Sequence, residues 1–366
     1  MIDWLSSMQQ TYEYYIVDPK TWKDSTLITT VKSCTINRDA EAETLGSAAL
    51  DVLNSIGERY IRVYLVVNQN GAREKVALGT FLVQTPSMSF NGKTTSASID
   101  AYTPLIELKE NKPDIGYYIP KDDNVMNRAY MLTREHVRAP VIKPNCDTKN
   151  AYDFVADISD SWLSYLTDFI SNHIYEDENN KNTIITKYRF DLDELGRILF
   201  VPEQDAASLR PVWTYNDDGK SILYPEIKAD QDLYGVPNVV EVIYSNGTDN
   251  YYSRVVNDDP NSLTSTVNRG REIVHRITDP DLVIGKLTQE HVDEYATRLL
   301  KELSSIDYTI TYTHGYCPVR LGDCVLINYA RAGLTNIKAK VISQTIKCEP
   351  GCPVTEKAVF TKKLWG

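Results

Sequence analysis

Two Asn-Gly dipeptides constrain this chain more than any other feature. Asn70-Gly71 lies between YIRVYLVV and KVALGTFLV, and Asn91-Gly92 lies between PSMSF and TTSASIDAY. Asn-Gly supplies the positive φ angles that two-residue hairpin turns demand, and the flanking runs have strand composition. TLITTVKSCTINRD alternates and ends in a polar turn, which adds a strand before the hairpins. DAEAETLGSAALDVLNS, in between, reads as a short helix or an irregular loop. The N-terminal WLSSMQQTYEYY is aromatic and reads either as an arm docking on a neighbour or as a first strand or helix. Short strands with regular turns argue for a small barrel or sandwich.

The rest of the chain alternates in character. YTPLIELKENKPDIGYYIPKDD is punctuated by prolines, and VMNRAYMLTREHVRAPV has the look of a short helix. In NAYDFVADISDSWLSYLTDFISNH, residues Phe154, Val155, Ile158, Trp162, Leu166 and Phe169 or Ile170 fall at helical spacing, which predicts an amphipathic helix over 150–174. KYRFDLDELGRILFVP reads as a hairpin turning on DELG. Its Asp191-x-Asp193-x-x-Gly196 resembles the start of a calcium loop but lacks the later acidic ligands, so a turn is expected. LTQEHVDEYATRLLKELSS predicts a second helix, with Thr288 as N-cap, Leu287 as staple, and Val292, Tyr295, Ala296, Leu299, Leu300 and Leu303 as its buried stripe. IDYTITYTH, CVLINYA, NIKAKVISQTIKC and KAVFTKKLW are strands again.

Composition excludes some functions. The net charge is −11, and residues 104–305 hold 35 of the 50 acids and 22 of the 39 bases, a net of −13. Binding to a nucleic-acid backbone needs a basic surface. No apolar run approaches the ~18 residues that span a bilayer, and the N-terminus has no basic n-region followed by an apolar core. Folding in a cytoplasm is therefore expected, where thiols stay reduced; the sequon at Asn246 then marks only a turn.

No catalytic constellation is visible. His136, His173, His275, His291 and His314 form no HExxH and no pair at ligand spacing, and there is no G-x-S-x-G or phosphate loop. His291 reads as exposed in a first helical turn, and His173 as a helix-terminal group. Cys348-x3-Cys352 loosely fits a zinc knuckle and Cys317-x6-Cys324 does not. The four thiols read as packing at strand ends, with a metal or a late-formed disulfide as alternatives. No catalytic, cofactor-binding or metal-binding residue and no cofactor is expected, and the chain is expected not to be an enzyme.

Three stretches carry a resemblance to a known family: LGTFLVQTPS leading to IDAYTPLIEL, the central YRFDLDELGRILFVP followed by GVPNVVEV, and the C-terminal YCPVRLGDCVLINY. Their layout, over roughly residues 26–360, resembles the tail hub or baseplate hub proteins of tailed bacteriophages and related contractile particles. The resemblance implies a mainly β fold with α+β insertions, built as two small tube-like β-barrels plus a mixed middle region. On that basis residues 1–103 form the first barrel, 104–149 a connector, 150–287 a mixed α/β region lending strands to both barrels, and 288–366 a helix plus the second barrel. It also implies a homotrimer of pseudo-sixfold symmetry that joins a sixfold tail tube or distal tail protein to a threefold spike, fibre or tail-tip protein. DNA would pass through its lumen without specific binding. The localisation implied is the virion tail tip, assembled in the bacterial host cytoplasm. With the sequence stopping at Trp365-Gly366, no fused lysozyme or peptidase domain is expected. A β-rich carbohydrate-binding or glycan-degrading module is the alternative; it would need a cleft lined by Trp or Tyr and a carboxylate pair.

Overall fold

The computed structural model describes every residue except 1, 55, 91, 94, 146–148, 151–152, 172–187, 205–207, 220, 232, 246–249, 279, 281–287 and 364–366. The Asn246 turn, His173, the Leu287 staple, part of the Asn91-Gly92 turn and the terminal Trp365-Gly366 lie outside the described residues.

The N-terminal strands are β1 (Gln9–Asp18), β2 (Lys23–Ile28), β3 (Val31–Asp39), β4 (Gly46–Val52), β5 (Tyr60–Gln69), β6 (Ala72–Phe90) and β7 (Thr95–Tyr102). Asn70 and Gly71 have φ of 51° and 78°, as a tight hairpin turn requires, and join β5 to β6. β6 and β7 pair antiparallel from Leu82↔Tyr102 to Phe90↔Thr95, which brackets the second hairpin. From Gln9 onward the N-terminal segment takes the strand alternative. It is β1, seated between β2 and β5 by the alternation of QQTYEYYIVD.

Residues 46–52, expected within a helix or loop, are strand β4. Ala48, Leu50 and Val52 alternate inward, and this period of two wins over the helix propensity of the alanines. Gly46 begins the strand at φ 145°, where a Cβ would collide with the Asn37 carbonyl. The predicted strand over TLITTVKSCTINRD is two strands, broken at Thr29-Thr30.

The middle of the chain holds α1 (Ile106–Glu110), β8 (Tyr118–Ile119), α2 (Val125–His136), β9 (Phe154–Val155), α3 (Trp162–Ser171), β10 (Tyr188–Leu192) and β11 (Ile198–Pro202). Leu105, Leu108, Met126, Ala129, Trp162, Leu166, Phe169, Phe190 and Phe200 share one apolar core there. The helix expected from residue 150 starts only at Trp162. Ser161 Oγ accepts from the Ser164 N–H at 3.1 Å, an N-cap that stops the helix from extending backwards. Ile158 consequently lies outside it, 84% exposed. β10 and β11 form the expected hairpin on DELG, closed by Gly196 N–H donating to the Asp193 carbonyl at 2.9 Å.

There follow β12 (Trp213–Asn216), β13 (Leu223–Gln231), β14 (Val239–Ser245), β15 (Asn250–Val256), α4 (Thr266–Arg269), β16 (Val274–Thr278), α5 (Gln289–Leu303), β17 (Ser305–Gly315), β18 (Cys324–Tyr329), β19 (Leu334–Lys347) and β20 (Pro353–Lys363). The chain divides into two compact units, one of Met1–Asp177, Asn182–Ile227 and Thr311–Ala358, the other mainly of Lys228–Ile310. In the second unit β15, β14 and β16 form a small sheet, with β14 and β16 parallel. Helix α5 covers it, with Val292, Ala296 and Leu300 buried against Val240 and Val242. Thr288 caps α5 as expected. His291 is half-buried rather than exposed, because its Nδ1 returns the cap by accepting from the Thr288 N–H.

Candidate functional site

The largest sheet has 13 strands, and its order repeats a pattern. In one half the neighbours run β3-β4-β7-β6-β5-β1; in the other they run β13-β17-β20-β19-β18-β12. Numbered by position in the chain within each set of six, both orders are second, third, sixth, fifth, fourth, first. The two sets differ at one end: β1 pairs antiparallel to β5, whereas β12 pairs parallel to β18.

The first set curls upon itself. Cys34 and Ile36 of β3 share one apolar cluster with Tyr14 of β1 and Ile61 and Val63 of β5, from the opposite end of the strand order. Arg38 of β3 donates to the Leu78 carbonyl of β6, three strands along the order, at 2.7 Å. The two sets make two β modules of one strand order.

The modules meet edge to edge. β3 pairs antiparallel with the C-terminal part of β19, from Ser343↔Asp39 to Lys347↔Thr35. Ile36 and Ile346 face each other and are fully buried, worth roughly 1.5–3 kcal/mol each in apolar burial. One step along, Arg38 Nη1 donates to Gln344 Oε1 at 3.0 Å.

Gln344 opens onto a polar core inside the second module. Its amide donates to Glu356 Oε2 at 2.7 Å and to the Val319 carbonyl at 3.0 Å. Glu356 Oε1 accepts a short hydrogen bond from Tyr312 and one from Tyr215 at 3.4 Å. His314 Nε2 lies 3.5 Å from Glu356 Oε2, and its Nδ1 donates to the Gly315 carbonyl at 2.7 Å. His314 and Glu356 are wholly buried. Burial pulls the His314 pKa down, but its hydrogen bonds to Cys317 and Glu356 and the Glu356 charge outweigh this and push it up to about 10. The same burial, with Glu356 beside them, drives the phenols of Tyr215 and Tyr312 well above their ordinary range.

The DELG turn docks where the two modules meet. Arg320 Nε contacts Glu194 Oε1 at 2.8 Å, and Arg38 Nη2 stands 3.8 Å from the same oxygen. The Leu195 carbonyl accepts from Trp22 Nε1 at 2.7 Å and Arg62 Nη2 at 3.0 Å. Asp191, Asp193, Arg38 and Arg320 help to line a cavity of about 50 Å³ there, a volume that fits one or two water molecules and is too small for a sugar ring. Burial raises the Asp191 pKa despite the nearby arginines.

The cysteines are scattered through this arrangement. Cys317 joins the polar core, with Tyr215 Oη at 3.3 Å. Cys324 starts β18 and is buried. The Cys348 N–H donates to the Cys34 carbonyl at 2.9 Å, and the two thiols share a hydrogen bond that raises the Cys348 pKa together with burial. Burial pushes Cys352 up to about 12, beside Tyr12. A protonated thiol is a poor metal ligand, and among the described residues no three His, Cys, Asp or Glu side chains gather as a metal site. His136 stacks on Trp162 with centroids 4.4 Å apart, and His275 is exposed on β16. Among the described residues no helix is long and apolar enough to cross a membrane.

Two surface clefts bear on glycan recognition. One of about 290 Å³ is lined by Trp4 and Tyr316 but by no carboxylate. Another of about 370 Å³ is lined by Glu58, Glu107, Glu110 and Glu135 but by no Trp or Tyr. Neither combines the aromatic platform with the acid pair.

No protein-family model matches the sequence, and no curated protein does. Solved structures do. The tail protein from Neisseria meningitidis MC58 matches at a TM-score of 0.60 and 11% identity, over 97% of this chain and 98% of that one. This chain shares the fold of that tail protein. The 43 kDa tail protein of prophage MuSo2 from Shewanella oneidensis matches at a TM-score of 0.58 and 10% identity, over 95% and 97% of the two chains. A chain of the lidded Francisella PdpA-VgrG complex matches at 0.58 and 8% identity, covering 98% of this chain and 53% of that one.

Proposed function

We propose that this chain is a structural hub of a phage tail tip or baseplate, not an enzyme. Three copies form a ring of six β modules. The ring joins a sixfold tail tube or distal tail protein to a threefold spike, fibre or tail-tip protein, and DNA passes through it. The observation that carries this reading is the repeated strand order: one chain presents two modules of the same topology, fused edge to edge. Three such chains offer six similar rims on one side and three identical ones on the other, which is what a symmetry mismatch requires. The full-length match to tail proteins supports the same reading. The net charge of −11 suits a conduit that must not retain phosphates. The protein works in the virion after assembly in the bacterial host cytoplasm. Light scattering at micromolar concentration tests it: a mass of three chains is expected, and a clean monomer together with no density at a tail tip would overturn it.

A further inference from the structure

The seam inside the chain has an unfilled counterpart. β19 is longer than its neighbour β18: pairing with β18 reaches Lys340, and residues 343–347 run on to take β3. β6 is built in the same way. Its pairing with β5 ends at Leu82, and among the described residues it continues to Phe90 paired with β7 alone. Both strands break their inward alternation at matching points. β19 buries Ala339 and Val341, then Gln344 and Ile346; β6 buries Phe81 and Val83, then shifts register between Val83 and Thr85. Past that shift Met88 stands opposite the buried Ala97, on the core side of the sheet, yet Met88 is 70% exposed and Phe90 67%.

On β19 the corresponding stretch is covered by β3, second strand of the first set. The second strand of the other set is β13, and it ends the strand order, paired with β17 on one side. Its outer residues, Ile227-Lys228-Ala229-Asp230, alternate apolar and polar. So do Ser87-Met88-Ser89-Phe90 of β6.

We propose that β13 of a second copy adds antiparallel to Ser87–Phe90 of β6. Ile227 and Ala229 then cover Met88 and Phe90, and Lys228 and Asp230 meet Ser87 and Ser89. The contact between chains thereby repeats the β19–β3 contact within the chain. Pro86, with no N–H to donate, marks the limit of the added pairing. Each chain carries one such β6 edge and one such β13 edge, so the contact is head-to-tail and closes as a ring. An exposed edge left uncovered would be an aggregation hazard. This inference rests on the trimeric reading and specifies which strands make the trimer.

The test is cross-linking of the full chain. Two double variants, Met88→Cys with Ala229→Cys and Met88→Cys with Ile227→Cys, are oxidised mildly and run on a non-reducing gel. Directly opposed residues on antiparallel strands bring Cβ atoms within disulfide reach. At least one pair is expected to give dimer and trimer bands and nothing larger, and the pair that reacts fixes the register. A trimer by light scattering with no cross-link in either pair overturns this inference and leaves the hub reading standing. A monomer overturns both, and a ladder beyond three overturns ring closure. Phe90→Glu, at an exposed position that folding does not need, is expected to dissociate the trimer while the thermal unfolding of the monomer is retained; an intact trimer in this variant counts against the contact.

Discussion

The two β modules share a strand order but not an interior. The first encloses an almost wholly apolar core of residues such as Ile36, Leu50, Ile61 and Leu65. The second encloses Glu356, His314, Gln344 and two tyrosines among its apolar residues. The topology therefore tolerates two different solutions for its centre. An apolar core fixes volume and leaves the partner of each residue weakly specified. A buried network of hydrogen-bonded charges has far fewer ways to be satisfied, so it fixes which strand faces which. The polar core lies in the module whose strands are far apart in sequence, with β12 and β13 separated from β17–β20 by the second unit.

That contrast can be broken by mutation, and the largest effect is expected at Glu356. Glu356→Ala strands a buried imidazolium and leaves Tyr312 and Gln344 without their acceptor, which costs about 3–5 kcal/mol in urea unfolding. A loss under about 1 kcal/mol would mean that the polar core is dispensable. Leu50→Ala is the matching change in the first module, expected to cost about 2–4 kcal/mol through a cavity, with no change in pH dependence.

A pH series separates the modules without mutation of the first. His314 has a pKa raised to about 10 in the folded state, against an ordinary value near 6.5. Its contribution is therefore complete below about pH 6.5 and is lost as pH climbs through 10. The melting temperature should fall over that window in the native chain and fall less in Glu356→Gln. Equal slopes in both proteins would contradict the pairing.

Smaller effects probe the junction. Gly196 sits at φ 73°, and a Cβ there would come within 2.7 Å of the Thr80 Cβ. Gly196→Ala is expected to cost about 1–3 kcal/mol and to loosen the DELG turn, read as faster hydrogen exchange at the Arg62 and Arg38 contacts. Least is expected of Thr313→Val, which removes a 3.0 Å hydroxyl contact to Thr355 between neighbouring strands, for about 0.2–1 kcal/mol.

What the sequence made legible was local. The Asn70-Gly71 turn, the DELG turn and the cap at Thr288 each follow from residues within one or two turns of chain. β4 was hidden because Ala48 and Ala49 are strong helix formers, and only their alternating burial between β3 and β7 decides the matter. The start of α3 was misplaced because Phe154, Val155 and Ile158 match a helical period by accident, while the Ser161 cap governs. The polar core did leave a trace. In PVTEKAVF the acid at 356 occupies an inward position between Val354 and Ala358, where an apolar residue belongs. Its partners at 215, 312, 314 and 344 come from three other strands, so no local rule could assemble them.

The seam between β3 and β19 also sets a schedule for the nascent chain. Asp39 and its partner Ser343 are 304 positions apart (343 − 39). At roughly 5–20 residues per second of synthesis, the outer edge of β3 emerges about 15–60 s before the strand that will cover it. During that interval Asn37, Arg38 and Asp39 line the waiting edge, and their polar side chains discourage the wrong neighbour from docking first. On a polysome many such edges wait at once, and polar side chains along them weigh against pairing between nascent chains.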